Sequence, residues 1–397
     1  MNHSDRDEHW ATPQPRVVLY LGAGASQFAG YKTFVDFPSL LFENGLRRSE
    51  GMPDLSPNSL RILNAIKDSL ERNNKATTHD NFLWRLDGYN QFLRLNQSDD
   101  ALQDFLRNNT RLYDLHMCTQ QAIQQISATT IRHYSANRVQ RAKQASGLQY
   151  ESMRRVFGIY RALAQLNANS PFLDIFTSNY DMLIEDLHAE FGDGEPRLNI
   201  VNGIPRLMEE EAVWNSNIYG KADCSSALRL FRLHGCVCWF LHASGSDIYF
   251  HRRNAVEQET SRMCAMYPGN EREIGTDPYG HGFRTLYRCL LRCELVVFIG
   301  FSFRDDDVMH LLLKAIDDRR GELRVLVVDA VNTSQDVMNK LEDAAKRMTL
   351  PYRVPRGKEI ESLTMYFGDP KDGDEKVLAT CERLLKRGKQ FAATASV

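Results

Sequence analysis

The chain has 397 residues, a length typical of two or three domains; 43% of its residues are hydrophobic and 25% are charged. This composition excludes a disordered or fibrous protein. The 49 Lys and Arg residues nearly balance the 51 Asp and Glu residues, so the formal charge of -2 argues against a general nucleic-acid binder. No apolar run approaches the roughly 18 residues that span a bilayer. Residues 1–15 are polar and acidic and lack the apolar stretch of a secretory signal, so we expect a flexible tail and a cytoplasmic protein.

Strand and helix patterns alternate along much of the chain. Apolar, β-branched runs predict five strands, at residues 16–21, 173–177, 228–239, 295–299 and 323–328. Turn residues or helical periodicity follow each run, with helices expected at residues 149–166, 182–191 and 376–387. We therefore predict an α/β fold with a Rossmann-like, mostly parallel sheet and helices on both faces.

Residues 56–166 carry helical periodicity with little strand signal, which predicts a large α-helical insertion into this α/β domain. The α/β domain is then discontinuous, comprising residues 16–55 and 167–355. Residues 356–397 are expected to form a C-terminal helical extension. Within the insertion, a basic stretch at residues 138–143 leaves DNA contact open, although such stretches are usually solvated surface.

A glycine-rich loop, Gly22-Ala23-Gly24-Ala25-Ser26, follows the first strand directly. Glycines let a backbone approach a phosphate closely, and the N-terminus of the next helix favours an anion. The spacing is not GxGxxG, because position 27 is Gln. A phosphate site and a tightly packed strand-to-helix turn both fit this loop.

Three further polar positions fall at or just after strands. Asn179 and Asp181 follow residues 173–177, at the strand end where ligands bind in open α/β sheets, although an Asn/Asp turn that caps the next helix is the commoner use of these residues. His234, followed by Gly235, has an imidazole suited to general base work, although a lone histidine is more often structural.

A second glycine-containing loop follows the strand at residues 295–299. It runs from Gly300 through Ser302 to an acidic triplet at residues 305–307. Carboxylates in the first turn of a helix complement its dipole, and this explains the triplet better than a metal site does. The next strand ends at Asp329, which could bond a ribose hydroxyl.

The eight cysteines are expected to be reduced thiols in the core. Cys236 and Cys238 alternate on one strand, and Cys289 and Cys293 are one helical turn apart, but the chain has no CxxC pair. Structural zinc sites normally use paired short spacings, so we expect neither zinc nor another metal.

The order of these motifs, GAGAS, TSNYD, LHG, GFSFRDDD and VVDA, resembles that of the sirtuin family. The resemblance covers residues 17–33 and 173–330. It implies NAD binding, with the phosphates on the glycine loop and the nicotinamide end at TSNYD. By motif, the catalytic residues are Asn179 and His234. The implied NAD-binding residues are Gly22, Ala23, Gly24, Ser26, Thr33, Asp181, Gly300, Ser302 and Asp329.

Two departures from protein-deacylating sirtuins narrow the resemblance. The stretch from Gly30 to Phe34, which includes Thr33, replaces their GIPDFR-like sequence, and no four-cysteine zinc module follows His234. Both departures look like those of the sirtuin-like domains in bacterial antiphage defence proteins. The resemblance therefore implies an NAD hydrolase (NADase) that releases nicotinamide and ADP-ribose and depletes NAD in abortive infection.

Two other functions stay open: a nonenzymatic NAD or ADP-ribose sensor that regulates a partner and, less favoured, a protein deacylase. An unregulated NADase would be toxic, so we expect a homo-oligomer or a partner to control it, through the helical insertion. Some similar defence proteins pair with a HerA-type ATPase or an Argonaute-type protein.

Overall fold

The computed structural model describes the greater part of the chain after residue 132 together with the first strand and its loop. The described residues are 16–31, 61, 64, 65, 68, 72, 133–145, 147–167, 172–194, 198–204, 211–220, 227–241, 248–251, 263–265, 277–320, 322–348, 359–369, 371 and 373–394. Most of the predicted helical insertion, the tail at residues 1–15 and Thr33 lie outside these residues.

The structure gives the bounds of eleven strands and seven α-helices, and residues 61, 64, 65, 68, 72 and 133–135 are also helical. The strands are β1 (Val17–Leu21), β2 (Phe172–Thr177), β3 (Asn199–Val201), β4 (Glu211–Val213), β5 (Ala227–Arg232), β6 (Gly235–Leu241), β7 (Ile248–His251), β8 (Met263–Ala265), β9 (Leu295–Ile299), β10 (Arg324–Asp329) and β11 (Ile360–Thr364). The helices are α1 (Arg138–Ala145), α2 (Leu148–Leu166), α3 (Leu183–Phe191), α4 (Tyr279–Arg292), α5 (Asp306–Asp318), α6 (Ser334–Arg347) and α7 (Glu375–Thr394).

Seven strands form one parallel sheet in the order β11-β10-β9-β1-β2-β5-β3. The predicted α/β class with a mostly parallel sheet is confirmed. The register places the last residues of four strands, Ile299, Leu21, Thr177 and Arg232, in one row with Val328, the next-to-last residue of β10. The loops that follow these strands therefore all begin at the same edge, where an open α/β sheet binds its ligands.

Helices cover both faces of the sheet, which explains why the central strands read as continuous apolar runs. All five residues of β1 and of β9 are buried. Helices α2, α3 and α7 pack with one face, and α4, α5 and α6 pack with the other. Because alternate residues of a strand point to opposite faces, Leu19 of β1 contacts the first group and Tyr20 the second.

A second, smaller sheet is antiparallel, with the order β4-β7-β6-β8. It corrects the prediction of a single strand over residues 228–239. The chain leaves the parallel sheet after Arg232, turns at Gly235, where φ is 77°, and enters β6 of the second sheet. Only a residue that tolerates positive φ permits such a turn, and this turn displaces His234 from the interior of a strand.

Two predicted segments join the main sheet more closely than expected. Helix α2, which the sequence analysis placed in the insertion, packs against β1 and β2. Residues 360–364, placed in the C-terminal helical extension, form the edge strand β11 beside β10. The strand IESLT was missed because its residues are mostly half-buried and its apolar signal is weak.

The described cysteines and two side chains of the basic stretch at residues 138–143 make contacts inside the protein. Five of the eight cysteines are described, and all five are buried, as expected of core thiols. In the basic stretch, Lys143 pairs with Glu190 at 2.7 Å and the guanidinium of Arg138 lies 5.3 Å from the ring centre of Tyr31. At least these two basic side chains make contacts within the chain.

Candidate functional site

The glycine loop after β1 packs directly against the loop after β9. A Cβ atom on Gly22 would lie 2.5 Å from the carbonyl oxygen of Gly300, and one on Gly24 would lie 2.8 Å from the Cα of Gly300. Gly300 has φ 59°, and a Cβ there would lie 2.2 Å from the amide nitrogen of Ala25. Close backbone packing therefore accounts for all three glycines.

The N–H groups of this loop are largely engaged within the protein. The N–H of Gly22 donates to the carbonyl of Ile299, that of Gly24 to Gly300, and that of Ala25 to Gly22, at 2.9 to 3.0 Å. The segment after the loop is a seven-residue 3-10 helix, Ala23–Ala29, rather than the expected α-helix. The loop thus allows the ends of β1 and β9 to approach each other closely. Its N–H groups at positions 22, 24 and 25 already have acceptors.

Asn179 lies beside this loop and is held by it. Its Nδ2 donates to the carbonyl of Gly22 at 2.9 Å and to the hydroxyl of Ser26 at 3.1 Å, and its own N–H donates to the Oγ1 of Thr177 at 3.0 Å. The side chain is 6% exposed, and its Oδ1 has no hydrogen-bond partner among the described residues. A buried amide oxygen without a partner is costly unless something outside the chain supplies a donor.

Asp181 is buried next to Asn179 and Ser26. Burial raises the pKa of its carboxyl group, while the charge of Arg232, the N–H of Leu183 and the hydroxyl of Ser26 act in the opposite direction without cancelling the effect. Its Oδ1 accepts from the N–H of Leu183 at 3.0 Å, so the turn at the start of α3 does use this side chain. The carboxyl group is nonetheless more easily protonated than an ordinary aspartate.

These side chains line a narrow cleft. Its polar lining comes from Ser26, Thr177, Asn179, Asp181 and Arg232. Apolar atoms from the glycine loop, α2 and α3 complete the walls. The cleft therefore joins a row of buried polar groups to apolar surface, the combination expected of a site for a small organic ligand.

Arg232 fixes the backbone of this cluster from the end of β5. Its Nη1 donates to the carbonyl of Asn179 at 3.0 Å, and its Nη2 donates to both carboxylate oxygens of Glu185 at 2.8 and 2.6 Å. Burial alone would lower the pKa of Arg232, but Glu185 and other neighbours raise it above its usual value. The residue is thus a fixed cation, and the sequence analysis did not single it out.

His234 pairs with Asp305 across two loops. The distance from His234 Nε2 to Asp305 Oδ2 is 2.7 Å, and the two side chains are 2% and 7% exposed. Backbone hydrogen bonds on either side of the histidine, from Leu233 to Thr177 and from Val237 to Tyr180, tie its segment to the one that carries Asn179. The structure therefore brings the two predicted catalytic residues to the same edge of the sheet.

The acidic triplet caps α5 as predicted, but Asp305 also reaches the histidine. Its Oδ1 accepts from the N–H of Asp307 at 3.2 Å and of Val308 at 3.5 Å, which is the geometry of an N-cap. Asp305 was not among the predicted site residues. The sequence does show an acid directly after GFSFR, but a role in stabilising the start of the next helix was a sufficient explanation for it.

Two of the predicted NAD-binding residues, Ser302 and Asp329, form a separate, more exposed group. Ser302 is exposed, and its carbonyl accepts from Lys340 Nζ at 3.0 Å. Lys340 also bonds Asn332, whose N–H and side chain donate to Asp329 Oδ1 at 2.8 and 2.9 Å. At least one carboxylate oxygen of Asp329 thus shapes the turn before α6. Thr33, the remaining predicted contact, lies outside the described residues.

An aromatic cluster connects the end of the predicted insertion to both site loops. Tyr134 stacks on Tyr31 at 6.2 Å between ring centres and meets Tyr180 edge-on at 6.2 Å. Tyr31 follows the glycine loop, and Tyr180 stands between Asn179 and Asp181. A displacement of the segment that bears Tyr134 would therefore reach the cleft directly.

The family comparison agrees with this geometry. Residues 174–348 match the model of a family described as SIR2-like domain. This segment of the chain is therefore similar to a SIR2-like domain. The matched segment contains Asn179, Asp181, His234 and Asp305 but begins after the glycine loop.

The other comparisons are distant or negative. The search of curated proteins gave no match. Among solved structures, the chain is similar to a mutant Sir2 homologue in complex with ADP-ribose, with 11% identity, a TM-score of 0.35, and coverage of 95% of this chain and 93% of that chain. It is also similar to a Sir2 homologue in complex with NAD, with 9% identity, a TM-score of 0.33, and coverage of 94% and 90%.

The described part of the chain has neither a membrane-spanning helix nor a group of metal-binding side chains. None of its helices has the length and apolar character required to cross a membrane. Its His, Cys, Asp and Glu side chains also form no group of three or more suited to holding a metal ion.

Proposed function

We propose that the chain is an NAD hydrolase in which water replaces nicotinamide at C1′ of the nicotinamide ribose. The products are nicotinamide, ADP-ribose and a proton. The observation that carries this proposal is the buried Oδ1 of Asn179, which has no partner among the described residues and lies at a cleft. The SIR2-like domain match supports NAD as the molecule that enters this cleft.

Asn179 is suited to orient a hydroxyl group. Both of its amide donations, to Gly22 and Ser26, are made within the protein, so its Oδ1 is the acceptor presented to a ligand. In the proposed reaction this oxygen accepts a hydrogen bond from a ribose hydroxyl or from the attacking water. The cleaved bond develops positive charge on the ribose, and a fixed, oriented dipole stabilises such charge without reorganising.

Asp181 is suited to hold the carboxamide of nicotinamide. Because burial raises the pKa of this carboxyl group, it can donate a hydrogen bond when protonated as well as accept one when ionised. A carboxamide offers both an acceptor and donors. The proposal therefore places the nicotinamide end of NAD at Asp181.

His234 is suited to accept the proton that the reaction releases. The unprotonated nitrogen of a neutral imidazole can accept a proton, and the carboxylate of Asp305 lies 2.7 Å from Nε2 of His234. The proton comes from the attacking water or from a ribose hydroxyl. Asn179 therefore orients the reacting groups, and His234 accepts the proton.

The ADP half of NAD is proposed to lie along the more open part of the same edge. The loop from Gly22 to Ser26 and the residues Gly300, Ser302 and Asp329 border that part. Since the N–H groups at positions 22, 24 and 25 already have acceptors, the proposed contribution of this loop to binding is its shape more than its free donors.

The biological role proposed is NAD depletion in antiphage defence, which rests on the resemblance of the motif order to such proteins. Such an activity needs control, and we propose that homo-oligomer formation or a partner acts through the helical insertion. The contact of Tyr134 with Tyr31 and Tyr180 supports this route, because it leads from the insertion to both site loops.

The test is nicotinamide release from NAD, followed by chromatography, for wild type, Asn179→Ala and His234→Ala. Removal of either residue should reduce turnover by about 10² to 10⁴. Asn339→Ala is the matched control, because this exposed asparagine lies on α6 away from the cleft and should leave turnover unchanged.

Three outcomes would replace the hydrolase proposal. Binding of NAD or ADP-ribose without nicotinamide release would support a sensor. Release that requires an acetylated peptide would support a deacylase. Full turnover in correctly folded Asn179→Ala and His234→Ala would show that the cleft is not the site of the reaction.

A further inference from the structure

We propose that Asp305 is a positioning residue for His234, selecting the form of the imidazole that takes the proton. This inference rests on the proposed function, because His234 is the proposed proton acceptor. Its basis is the 2.7 Å contact between His234 Nε2 and Asp305 Oδ2, made by two side chains that are 2% and 7% exposed.

The two oxygens of Asp305 face different partners. Oδ1 accepts from the N–H groups of Asp307 and Val308 and so caps α5, while Oδ2 lies against His234. Capping alone requires one oxygen, which Ser, Thr or Asn can supply as well as Asp. The second carboxylate oxygen is therefore available for the histidine, and the cap holds it in a fixed direction.

The loop that delivers Asp305 is constrained on its other side as well. Phe303 has φ 56°, a left-handed conformation that is uncommon for a bulky side chain, and it is 2% exposed. Its ring packs on Phe301 and Phe298 at 4.8 and 5.3 Å between ring centres. Uncommon backbone conformations held by packing often occur where a functional group must be placed accurately.

A carboxylate beside one imidazole nitrogen determines where the ring carries its proton. Asp305 Oδ2 lies 2.7 Å from Nε2, so the carboxylate favours the neutral ring with its proton on Nε2. In that tautomer Nδ1 has the lone pair that takes a proton from the attacking water or a ribose hydroxyl. The carboxylate then stabilises the imidazolium until the proton is passed to solvent.

The activity test uses Asp305→Asn and Asp305→Ser, both of which retain a good N-cap residue. Each should reduce kcat for nicotinamide release by about 10² to 10⁴ while KM for NAD changes by less than about threefold, because NAD binding is left in place. Asp306→Asn is the control, since this neighbouring carboxylate is exposed and pairs with Arg347. It should leave both parameters unchanged.

A second readout does not depend on activity. Nitrogen-15 NMR of the imidazole groups, recorded at alkaline pH and assigned by loss of the signal in His234→Gln, reports the tautomer of His234. Wild type should show the proton on Nε2. In Asp305→Asn the amide can instead donate to Nε2, and a substantial Nδ1–H population should appear.

The two readouts separate failure of this inference from failure of the proposed function. An unchanged tautomer in Asp305→Asn, or wild-type kcat in both Asp305 variants, would overturn the positioning role. Absence of nicotinamide release in wild type would overturn the proposed function, while the tautomer measurement would still decide whether Asp305 orients His234.

Discussion

Two buried arginines on β5 form similar ion pairs but differ in what else they contact. Arg229 bonds both oxygens of Asp174, at 2.5 and 2.7 Å, and Arg232 bonds both oxygens of Glu185. Arg229 also lies over the ring of Phe172, at 4.5 Å from its centre. Arg232, three positions later at the strand end, additionally holds the carbonyl of Asn179.

The difference shows how position on a parallel strand separates structure from function. Burial alone would lower the pKa of both arginines, but their carboxylate partners raise it in each case, so both remain charged. The Arg229 pair lies within the sheet, and its two side chains are 6% and 0% exposed. The Arg232 pair lies at the carboxyl edge and is coupled to the cleft.

The largest expected effect is on stability, from Asp174→Ala. It leaves the buried guanidinium of Arg229 without its partner, which typically costs about 3 to 5 kcal/mol in the free energy of unfolding. Urea denaturation measures this loss. Nicotinamide release per folded molecule should not change, and a fall in it would show that the two pairs are not functionally distinct.

Glu185→Ala should have a smaller effect on stability and a clear effect on activity. Arg232 would keep the carbonyl of Asn179 and the charge of Asp181 as partners, so loss of the hydrogen bonds to Glu185 should cost about 1.5 to 3 kcal/mol. Arg232 would be held less firmly against that carbonyl, and we expect nicotinamide release to fall about tenfold, equivalent to about 1.4 kcal/mol in the barrier.

Nicotinamide release by Glu185→Ala and by Asp174→Ala is compared per folded molecule. Equal turnover in the two variants would remove the proposed link between Arg232 and the site. A large stability loss in Glu185→Ala without loss of turnover would make its ion pair structural, like that of Arg229.

The smallest effect concerns Asp181, a buried acid to which no arginine among the described residues bonds through two oxygens. Burial raises its pKa in the folded state, so its stabilising contribution is present below the unfolded pKa of about 3.9 and is lost as pH rises through the folded value. Asp181→Asn avoids this loss. It should raise the urea midpoint at neutral pH, and the gain should shrink as pH falls toward about 4.

The same variant should lower nicotinamide release, because an amide cannot take both protonation states of the carboxyl group. Increased stability with reduced activity would mark Asp181 as a residue kept for binding. Reduced stability at neutral pH would instead show that the turn contact with Leu183 requires the charge.

The sequence predicts the sheet well where strands are continuous and apolar. The strand at residues 295–299 has the predicted bounds, β2 begins one residue earlier than predicted, and β10 is shifted by one residue at each end. The short strands β3, β4, β7 and β8 were missed, because strands of three or four residues carry little pattern. The turn at His234 was missed because only Gly235 marks it.

The site was predicted in part for a similar physical reason. Asn179 follows a recognisable strand end, whereas the end of β5 before His234 was not predicted. Parallel topology brings these two strand ends to the same edge of the sheet. The pairings of His234 with Asp305 and of Arg232 with Glu185 join residues distant in the chain. Asp305 is explained locally as a helix cap, and Glu185 as part of an amphipathic helix. Because each residue already has this local explanation, the sequence does not predict the two pairings.

The most direct test of the central claim is a crystal structure of His234→Ala with NAD, a variant expected to bind the dinucleotide without cleaving it. The account predicts that a ribose hydroxyl or a water beside C1′ lies about 3 Å from Asn179 Oδ1, with the nicotinamide carboxamide at Asp181. NAD bound away from the cleft, with Asn179 Oδ1 still lacking a donor, would contradict it.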